Sequence, residues 1–451
     1  MEFMERFKKD YEQKSLELLK KLISYDSTLK SYKENGKEPF GKDLYDILNY
    51  LLSYGENDGF IAKNIDNYAG HLEFGEGKDI LGILAHLDIV PYKKEEWDTN
   101  PLELTIKDGK MFGRGALDDK GGVVAGYIAM KMLLDEGFKP NKRIRLIVGC
   151  DEETQSRGLK RYLEKEIEPT IAFSPDAGFP CIYGEKAIAS YDILSNEGDN
   201  VITYFKAGER YNMVPSKAEC MLNVNLKDKY LSYLKENNYK GEIIDDKYIA
   251  YGIASHGSLP QKGVNAIYIL LDFISKNTKS KFADFVRKYF LFDPYGKKIG
   301  YSYNDNEMGK LTSNFAILDI NENRIKMGVN LRLPMDGCFE LVDQALTVKC
   351  EEYNYEYRFI NKSGKHFVSK NSELVTALMK SYKDVTGDDT KAYTIGGGTY
   401  ARELKNAVAF GPCFPGREDT CHIANEYFYQ EDFYKSIEIY YNAIRNLCKW
   451  D

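Results

Sequence analysis

The sequence is poor in several features that would mark particular classes of protein. It has five histidines and two tryptophans among 451 residues. No apolar run approaches the roughly 18 residues that a membrane-spanning helix needs. The eight cysteines include no C-x-x-C pair, so a cysteine zinc site is not expected. The start, MEFMERFKKDYEQK, lacks the apolar segment of a secretory signal peptide. We therefore expect a cytoplasmic protein with scattered, reduced thiols.

The charge balance also excludes several kinds of partner. The formal net charge is −7, with 43% hydrophobic and 29% charged residues, which is typical of soluble globular proteins. An acidic balance without basic clusters predicts no binding to nucleic acid or to an anionic membrane. A chain of this length is expected to form about two to four domains. Small molecules or peptides are the more natural partners.

Apolar periodicity in the first part of the chain predicts an α/β domain. Residues 4–24 have helical spacing. The short apolar run DILGILAHLD is followed by the helical stretch GGVVAGYIAMKMLLDEG and by two further β-like runs, RIRLIVGC and TIAFSPD. Strand, helix and strand at this spacing indicate a mostly parallel sheet with helices on both faces.

The pattern changes after residue 184 and changes back near residue 366. Between these points, strands with polar alternation and helices form two α+β cycles. The pattern then returns to α/β, with the strands KAYTIGGG and AVAFGP and a last helix. We therefore predict a domain formed by residues 1–184 and 366–451, and an inserted α+β domain formed by residues 185–365.

Acidic residues and two histidines follow the predicted strands of the α/β domain. In open α/β sheets, ligands bind beyond the carboxyl ends of the strands. The residues that stand at such ends or in adjoining loops are His86, Asp88, Asp118, Asp119, Asp151, Glu152, Glu153, Asp176 and His422. We expect these side chains to converge on one edge of the sheet.

Two imidazoles and several carboxylates at one edge would suit a hydrolytic site with two divalent ions. Imidazole and carboxylate are ligands for zinc, manganese or cobalt. A carboxylate can bridge two ions about 3.5–4 Å apart, and a water shared between them becomes a nucleophile near neutral pH. A free carboxylate is also needed as general base. The adjacent pair Glu152 and Glu153 offers one glutamate for a metal and one for the proton.

Each of these patterns also has a simpler interpretation. A histidine at a strand end is more often a hydrogen-bonded structural residue. The sequence DDK is usually a solvated turn, and DEE is usually an exposed helix start. His71 and His366 have no acidic pattern around them and are interpreted as structural. The glycine-rich stretches GRGALDDKGG and TIGGGTYAR lack the spacing of a phosphate-binding loop, so a nucleotide site is not expected.

Five motifs together resemble one family of enzymes. HLDIVP, GRGALDDKGG, DEE, SPDAGFP and CHIANE occur in this order, and they are similar to those of the two-metal aminoacylase/carboxypeptidase-type metallopeptidases over nearly the whole chain. NYAGHLEFG, YNMVPSKA, ASHGSLPQKGVNA and GGGTYARELKNAVAFGPCFPGREDTCH resemble the bacterial dipeptidases of the dipeptidase V (PepV-like) type, also called Xaa-His dipeptidases.

The resemblance implies a set of metal ligands. His86 and Asp176 would bind one ion, Glu153 and His422 would bind the other, and Asp118 would bridge them. The peptide bond between Asp118 and Asp119 is typically cis in this family. The ions would be two per chain, with zinc as the first choice and manganese or cobalt as alternatives.

The resemblance also implies catalytic and substrate-binding residues. Glu152 would be the general base, and Asp88 would fix the ring of the metal-bound histidine. His256, in an inserted lid domain with two ferredoxin-like halves, would donate to the carbonyl oxygen of the substrate. Asn212, Arg332 and the backbone of Ala401 resemble positions that hold the substrate's carboxylate, although many relatives have glycine in place of Ala401.

These expectations lead to a metal-dependent dipeptidase acting on dipeptides with a free C-terminal carboxylate. One alternative is a deacylase of the same family, removing an acetyl or succinyl group from an N-acyl amino acid. An alternative of another class is a peptide-binding protein without catalysis. Because the inserted domain has two α+β cycles where shorter lids have one, we expect a monomer whose own lid supplies His256.

Overall fold

The computed structural model describes residues 2–321, 323–334 and 338–449. The chain divides into two compact units. The first consists of Met1–Gly184, Phe367–Tyr393 and Gly398–Asp451, and the second of Glu185–His366 and Thr394–Gly397. The sequence had predicted one domain of residues 1–184 and 366–451 and an inserted domain of residues 185–365. The structure assigns residue 366 and residues 394–397 to the second unit.

The chain up to residue 185 forms most of the first unit. Its helices are α1 (Glu2–Asp10), α2 (Glu12–Ile23), α3 (Lys42–Asn57), α4 (Lys120–Asp135) and α5 (Arg157–Lys165). Its strands are β1 (Ile61–Ile65), β2 (Ala69–Phe74), β3 (Ile80–His86), β4 (Thr105–Lys107), β5 (Lys110–Phe112), β6 (Arg143–Gly149), β7 (Ile171–Ser174), β8 (Ala177–Gly178) and β9 (Ile182–Glu185).

The second unit follows in the chain. Its helices are α6 (Lys227–Glu236), α7 (Ala266–Asn277), α8 (Lys281–Tyr289) and α9 (Cys338–Tyr353). Its strands are β10 (Ala187–Ser195), β11 (Ile202–Ala207), β12 (Lys217–Leu222), β13 (Lys240–Ile244), β14 (Lys247–Tyr251), β15 (Asn304–Asp305), β16 (Gly309–Lys310), β17 (Thr312–Asn321), β18 (Arg324–Leu333) and β19 (Glu356–Ser363).

The remaining elements lie mostly in the first unit. The strands are β20 (His366–Phe367), β21 (Tyr393–Ile395), β22 (Ala407–Ala409), β23 (Pro412–Cys413) and β24 (Tyr427–Tyr429), and the helices are α10 (Glu373–Thr386) and α11 (Gln430–Cys448). Short 3₁₀ helices lie at Lys94–Glu96, Pro260–Lys262 and Tyr400–Glu403.

The main sheet of the first unit has parallel strands at its centre. Among the described residues its order is β1-β2-β6-β3-β7-β22-β9-β20, with β21 beside β9. The four neighbours β6, β3, β7 and β22 run parallel, whereas β1, β2 and β9 pair in the antiparallel sense. This arrangement confirms the predicted α/β fold class.

Both faces of this sheet are covered. Alternate residues of its strands point to opposite sides, so each strand contributes side chains to both faces. Ile83 and Ala85 of β3 pack in the larger core together with α4 and α11. Leu84, between them, packs on the other face with Tyr162 of α5 and with Tyr400. Helix α4 is buried nearly all round, as expected for a core helix. The parallel strands are therefore apolar on both sides, and polar side chains are placed at their ends.

The predicted N-terminal helix over residues 4–24 is two helices in the structure. The chain bends at Tyr11, which has φ −129° and ψ −18°. The Tyr11 hydroxyl donates to Asp135 Oδ2 of α4 at 2.8 Å. The bend lets α1 and α2 each turn an apolar side toward the core, with Phe7 and Leu18 both buried.

The second unit is built on one antiparallel sheet. Among its described residues the order is β13-β14-β12-β11-β17-β18-β10-β19. The sheet consists of two four-stranded halves, joined by the pairing of β11 with β17. The two predicted α+β cycles do not coincide with these halves, because β14 lies with the earlier strands and β10 with the later ones. The halves do not follow one another along the chain. Strands β11 to β14 form one half, which is inserted after β10, the first strand of the other half.

No helix in the described part of the chain is long and apolar enough to cross a membrane.

Candidate metal centre

His86 is held by carboxylates at the end of β3. Its register partner is Gly149, the last residue of the parallel strand β6. The His86 side chain is fully buried. Its Nε2 lies 3.0 Å from Asp118 Oδ1 and 3.7 Å from Asp176 Oδ1. Asp176 follows β7, so the carboxyl ends of neighbouring parallel strands bring these side chains together, as predicted.

Asp118 is shared by two groups of side chains that could each hold a metal ion. One group is His86, Asp118 and Asp176, and the other is Asp118, Glu153 and His422. Within each group the candidate ligand atoms lie within 4.8 Å of one another. The peptide bond between Asp118 and Asp119 is cis, as the resemblance implies. The carboxylate of Asp118 has one oxygen toward each group, which is the arrangement that a bridging ligand requires.

His422 completes the second group from the C-terminal part of the chain. Its Nε2 lies 2.9 Å from Asp118 Oδ2 and 3.1 Å from Glu153 Oε1. The His422 backbone has φ +65°, an uncommon conformation for a residue other than glycine. The His422 side chain is 53% exposed, whereas that of His86 is buried. The two groups thus differ in their access to solvent.

Asp88 fastens the DEE segment to the end of β3. Its Oδ1 accepts hydrogen bonds from the backbone N–H groups of Asp151 at 2.7 Å and Glu152 at 3.0 Å, and its Oδ2 accepts from Glu153 N–H at 3.0 Å. Its Oδ1 also lies 3.5 Å from His86 Nδ1. The simpler interpretation of DEE as a helix start is wrong, because α5 begins only at Arg157.

Asp88 therefore contacts both His86 and the loop of residues 151–153. The resemblance implies only the contact that fixes the histidine ring. The nearer partner of His86 Nδ1 is the backbone oxygen of Asp88, at 3.0 Å. This contact orients the ring so that Nε2 points to Asp118.

Glu426 is a structural partner that the sequence analysis missed. It is fully buried and accepts hydrogen bonds from the backbone N–H groups of Gly115, Leu117 and Asp118 at 2.8–3.1 Å. Arg114 Nη1 donates to Glu426 Oε2, the oxygen that also accepts from Gly115, at 2.7 Å. The signal was present in the motif CHIANE, whose last residue is Glu426. This carboxylate ties the loop that carries Asp118 to the segment that carries His422.

Glu152 differs from its neighbour Glu153 because it belongs to neither group of candidate ligands. Its backbone is fixed by Asp88, so the side chain is presented from an anchored loop. Burial raises the pKa of Glu152 well above that of an ordinary glutamate, and the negative charge of Asp176 raises this pKa further. Such a carboxyl is suited to accept and return a proton near neutral pH.

The donor set is chemically suited to divalent cations. Burial raises the pKa of Glu153 to about 7, and the neighbouring charge of Asp118 adds to this shift. Burial and the charge of Asp118 also raise the pKa of Asp176 to about 6. Carboxylates crowded in this way, with two imidazoles at hydrogen-bond distance, are stabilised by positive charge. Oxygen and nitrogen ligands of these types suit zinc, manganese and cobalt.

Metal binding at pH 7 should release at least two protons per chain. Burial lowers the pKa of His422, but its hydrogen bonds to Asp118 and Glu153 outweigh this and raise the pKa to about 11. For His86 the same balance gives a pKa well above 6.5. Both rings are therefore protonated in the metal-free protein at pH 7, and both must lose a proton to become ligands. The affinity should accordingly rise with pH.

Calorimetric titration of Zn²⁺ in two buffers with different ionisation enthalpies measures the protons released. Removing one ring with His422→Ala should lower the number by about one. A proton count of zero in the wild-type protein would contradict the protonation states that the carboxylates impose.

The remaining predicted residues lie elsewhere. His256 is in the loop between β14 and α7, Asn212 is between β11 and β12, and Arg332 is on β18, all in the second unit. Ala401 is buried in the 3₁₀ helix Tyr400–Glu403 of the first unit. Its backbone N–H donates to Thr399 Oγ1 at 3.1 Å.

His71, which was interpreted as structural from the sequence, is buried and contacts a tyrosine hydroxyl. Its Nδ1 lies 2.8 Å from the Tyr162 hydroxyl, and burial lowers its pKa to about 3. His366 is buried at the start of β20, outside both groups of candidate ligands.

An α/β sheet with two groups of candidate ligands joined by one carboxylate at its carboxyl edge is an arrangement suited to a metal-dependent hydrolase. The sequence pattern of Peptidase family M20/M25/M40 matches residues 82–446. The chain belongs to this family, which confirms the resemblance stated from its motifs. It is a metallopeptidase of a family that binds divalent metal ions.

The relatives found by comparison extend over nearly the whole chain. A Staphylococcus haemolyticus protein named as a putative dipeptidase is 37% identical over 460 residues, covering 97% of this chain and 98% of its own length. Human carnosine dipeptidase 1 has a similar fold, with a TM-score of 0.61 at 14% identity and coverage of 97% and 96%. The dipeptidase Dug1p of Saccharomyces cerevisiae gives 0.58 at 15% identity, with coverage of 96% and 95%.

Proposed function

We propose that the protein is a dipeptidase that hydrolyses the peptide bond of dipeptides with a free C-terminal carboxylate. The observation that carries this proposal is the pair of ligand groups sharing Asp118, with the anchored Glu152 outside both. The name of the 37% identical relative supports the substrate class.

Two divalent ions, with zinc as the first choice, would be held by the two groups. One would be bound by His86, Asp118 and Asp176, and the other by Asp118, Glu153 and His422. Bound ions of this kind polarise a carbonyl group and lower the pKa of water.

The remaining chemistry is proposed for side chains of the protein. Glu152 accepts the proton of the attacking water and later gives it to the nitrogen of the leaving amino acid. The C–N bond breaks as this proton arrives, so the amine leaves in its neutral form. Asp88 keeps Glu152 in place through the backbone. His256 donates a hydrogen bond to the carbonyl oxygen, on which negative charge develops during attack.

The substrate's carboxylate is assigned to Arg332 and Asn212, with the backbone of Ala401 as a third contact. Arg332 is buried on β18, where its Nε donates to Asn330 Oδ1 at 2.9 Å and its Nη1 donates to the Gly396 backbone oxygen at 2.6 Å. A guanidinium fixed in this way is suited to a planar carboxylate. The N–H of Ala401 would have to exchange its contact with Thr399 to join them.

The proposal is tested by measuring hydrolysis of free dipeptides beside N-acetyl and N-succinyl amino acids, using protein loaded with Zn²⁺, Mn²⁺ or Co²⁺. Turnover of dipeptides with much slower turnover of the N-acyl compounds is expected. The reverse preference would establish the deacylase alternative. Binding of two ions and of dipeptides without any turnover would establish the peptide-binding alternative.

Amidation of the substrate's C-terminus should lower kcat/KM by about 10²-fold or more, because it removes the partner of a charge-assisted hydrogen bond. The measurement compares a dipeptide with its amide, in the wild-type protein and in Arg332→Lys. In the variant the difference between the two substrates should shrink, because lysine lacks the planar fork. Equal cleavage of dipeptides, their amides and long peptides would contradict the carboxylate pocket.

We also propose that the active protein is a monomer in the cytoplasm. Buried thiols such as Cys150, Cys181 and Cys220 fit a reducing compartment. The two four-stranded halves of the second unit support a lid that needs no partner chain. Sedimentation at active concentrations should show one species near 51.7 kDa. Mixing His256→Ala with Glu152→Ala chains should restore no activity. Restored activity would mean that the histidine acts between chains.

A further inference from the structure

The backbone around His256 is fixed by the segment that carries Asn212. Met213 and His256 form an isolated antiparallel bridge. Gly257 N–H donates to the Asn212 backbone oxygen at 2.6 Å. A side chain at position 257 would place its Cβ about 3.0 Å from the Asn212 backbone carbon, so any residue other than glycine would require the Asn212 backbone to shift. Asn212 and His256, which are both proposed to contact the substrate, therefore lie on neighbouring segments of the second unit.

This pair of segments is in turn anchored to the sheet of the second unit. Asn314, on β17, is 1% exposed. Its Nδ2 donates to the backbone oxygens of Tyr211 at 3.1 Å and Met213 at 2.8 Å. The amide thus holds the chain on both sides of Asn212. The position of the His256 backbone follows from this framework.

The ring of His256 has a second constraint at Nδ1. The Ser258 hydroxyl oxygen lies 2.7 Å from Nδ1, and the Ser258 backbone N–H donates to the same nitrogen at 3.3 Å. An N–H group can donate only to a ring nitrogen that carries no proton. In neutral His256 the proton is consequently on Nε2, and the Ser258 hydroxyl also donates to Nδ1.

Ser258 itself is held in place on two sides. Its backbone oxygen accepts a hydrogen bond from Thr312 Oγ1 at 3.2 Å. Its side chain packs closely against Gly396, where an added Cβ would lie 2.8 Å from Ser258 Cβ. The backbone oxygen of Gly396 is also the acceptor for Arg332 Nη1. The serine is therefore a fixed donor, and it connects the surroundings of His256 and Arg332.

We propose that Ser258 is a positioning residue that keeps the proton of neutral His256 on Nε2. This inference rests on the proposed function, in which His256 donates a hydrogen bond to the carbonyl oxygen of the substrate. The opposite tautomer would present a lone pair at Nε2 and repel that oxygen. Ser258 does not touch the reacting atoms in this scheme; it acts through the ring that does.

The test combines ring ¹⁵N spectroscopy with kinetics on the full chain, because only five histidines need to be distinguished. Protein with ¹⁵N-labelled histidine is measured metal-free and with Zn²⁺, and the His256→Gln variant identifies the His256 signals. In the wild-type protein, Nε2 should have the shift of a protonated ring nitrogen and Nδ1 that of an unprotonated one. In Ser258→Ala the two shifts should move partly toward each other, because the shorter hydrogen bond from the hydroxyl is lost and only the backbone N–H at 3.3 Å then favours the Nε2 tautomer.

The kinetic result expected for Ser258→Ala is a roughly three- to tenfold lower kcat with little change in KM, as for the loss of one hydrogen bond. Ser258→Thr keeps the hydroxyl and should restore both the spectrum and kcat. Ser255→Ala is the matched control, since Ser255 Oγ donates to the Leu259 backbone oxygen at 3.0 Å in the same loop. It should leave the His256 shifts unchanged.

Two results would overturn the inference: a protonated Nδ1 in the wild-type protein, or His256 shifts that do not change in Ser258→Ala. A different result would overturn only the proposed role of His256. If the spectra behave as expected and His256→Gln retains wild-type kcat/KM, the tautomer assignment stands and the histidine is not part of the reaction.

Discussion

Replacing Glu152 with glutamine is expected to lower kcat by about 10²–10⁴-fold while both metal ions stay bound, because the amide cannot accept a proton. The structure makes this variant informative, since Asp88 holds the loop through the backbone N–H groups of residues 151–153. The side chain at position 152 can therefore change without releasing Glu153 from its ligand group.

Steady-state kinetics and metal analysis on the same sample measure the two quantities. Glu164→Gln, on the exposed side of α5, removes the same charge away from the cluster and should behave as the wild-type protein. Wild-type turnover in Glu152→Gln, together with an inactive Glu153→Gln that still binds two ions, would move the role of the base to Glu153.

Replacing Asp118 with asparagine should have the largest effect of any single ligand change, because both groups of candidate ligands contain this residue. Metal content should fall for both ions, and activity should fall by more than the 10–100-fold typical of residues that merely support a ligand. In contrast, Glu153→Gln should affect only the group with His422, and Asp176→Asn only the group with His86.

Titration with Zn²⁺ followed by metal analysis separates these patterns. The wild-type protein should bind two ions, the Glu153 and Asp176 variants about one each with high affinity, and the Asp118 variant neither. Circular dichroism should show that all variants remain folded. Full retention of one ion in Asp118→Asn would mean that the carboxylate belongs to a single site.

The sequence was sufficient to predict the elements that carry the site because the strands are apolar and the polar residues come directly after them. His86 and Asp176 could be placed near each other by the rule that parallel strands end at one edge. His422 was included by the same rule only as a residue of an adjoining loop, since it follows β22 by more than ten residues. Its role as a metal ligand depended on the resemblance.

Interactions made by the backbone could not be predicted at all. Asp88 and Glu426 each bind several backbone N–H groups of loops that are distant in sequence. No periodicity reveals such contacts, because they depend on the path of the loops. The order of strands in the second unit, with β11 to β14 inserted after β10, was missed for a related reason. The alternation of polar and apolar residues identifies a strand, but it does not show which of the eight strands will be neighbours in the sheet.

The position of β22 has a consequence for how the protein is made. This strand lies between β7 and β9 in the sheet, yet more than 200 residues separate it from β9 along the chain. At about 5–20 residues per second, a ribosome needs roughly 10–40 s to synthesise that interval. During this time the nascent chain carries two strands whose intervening neighbour does not yet exist, with apolar surface and unpaired backbone groups exposed. The second unit has its own core and can fold first. The group of candidate ligands that includes His422 can form only after residue 422 has been synthesised. Until then the nascent chain exposes apolar surface of the kind that chaperones bind.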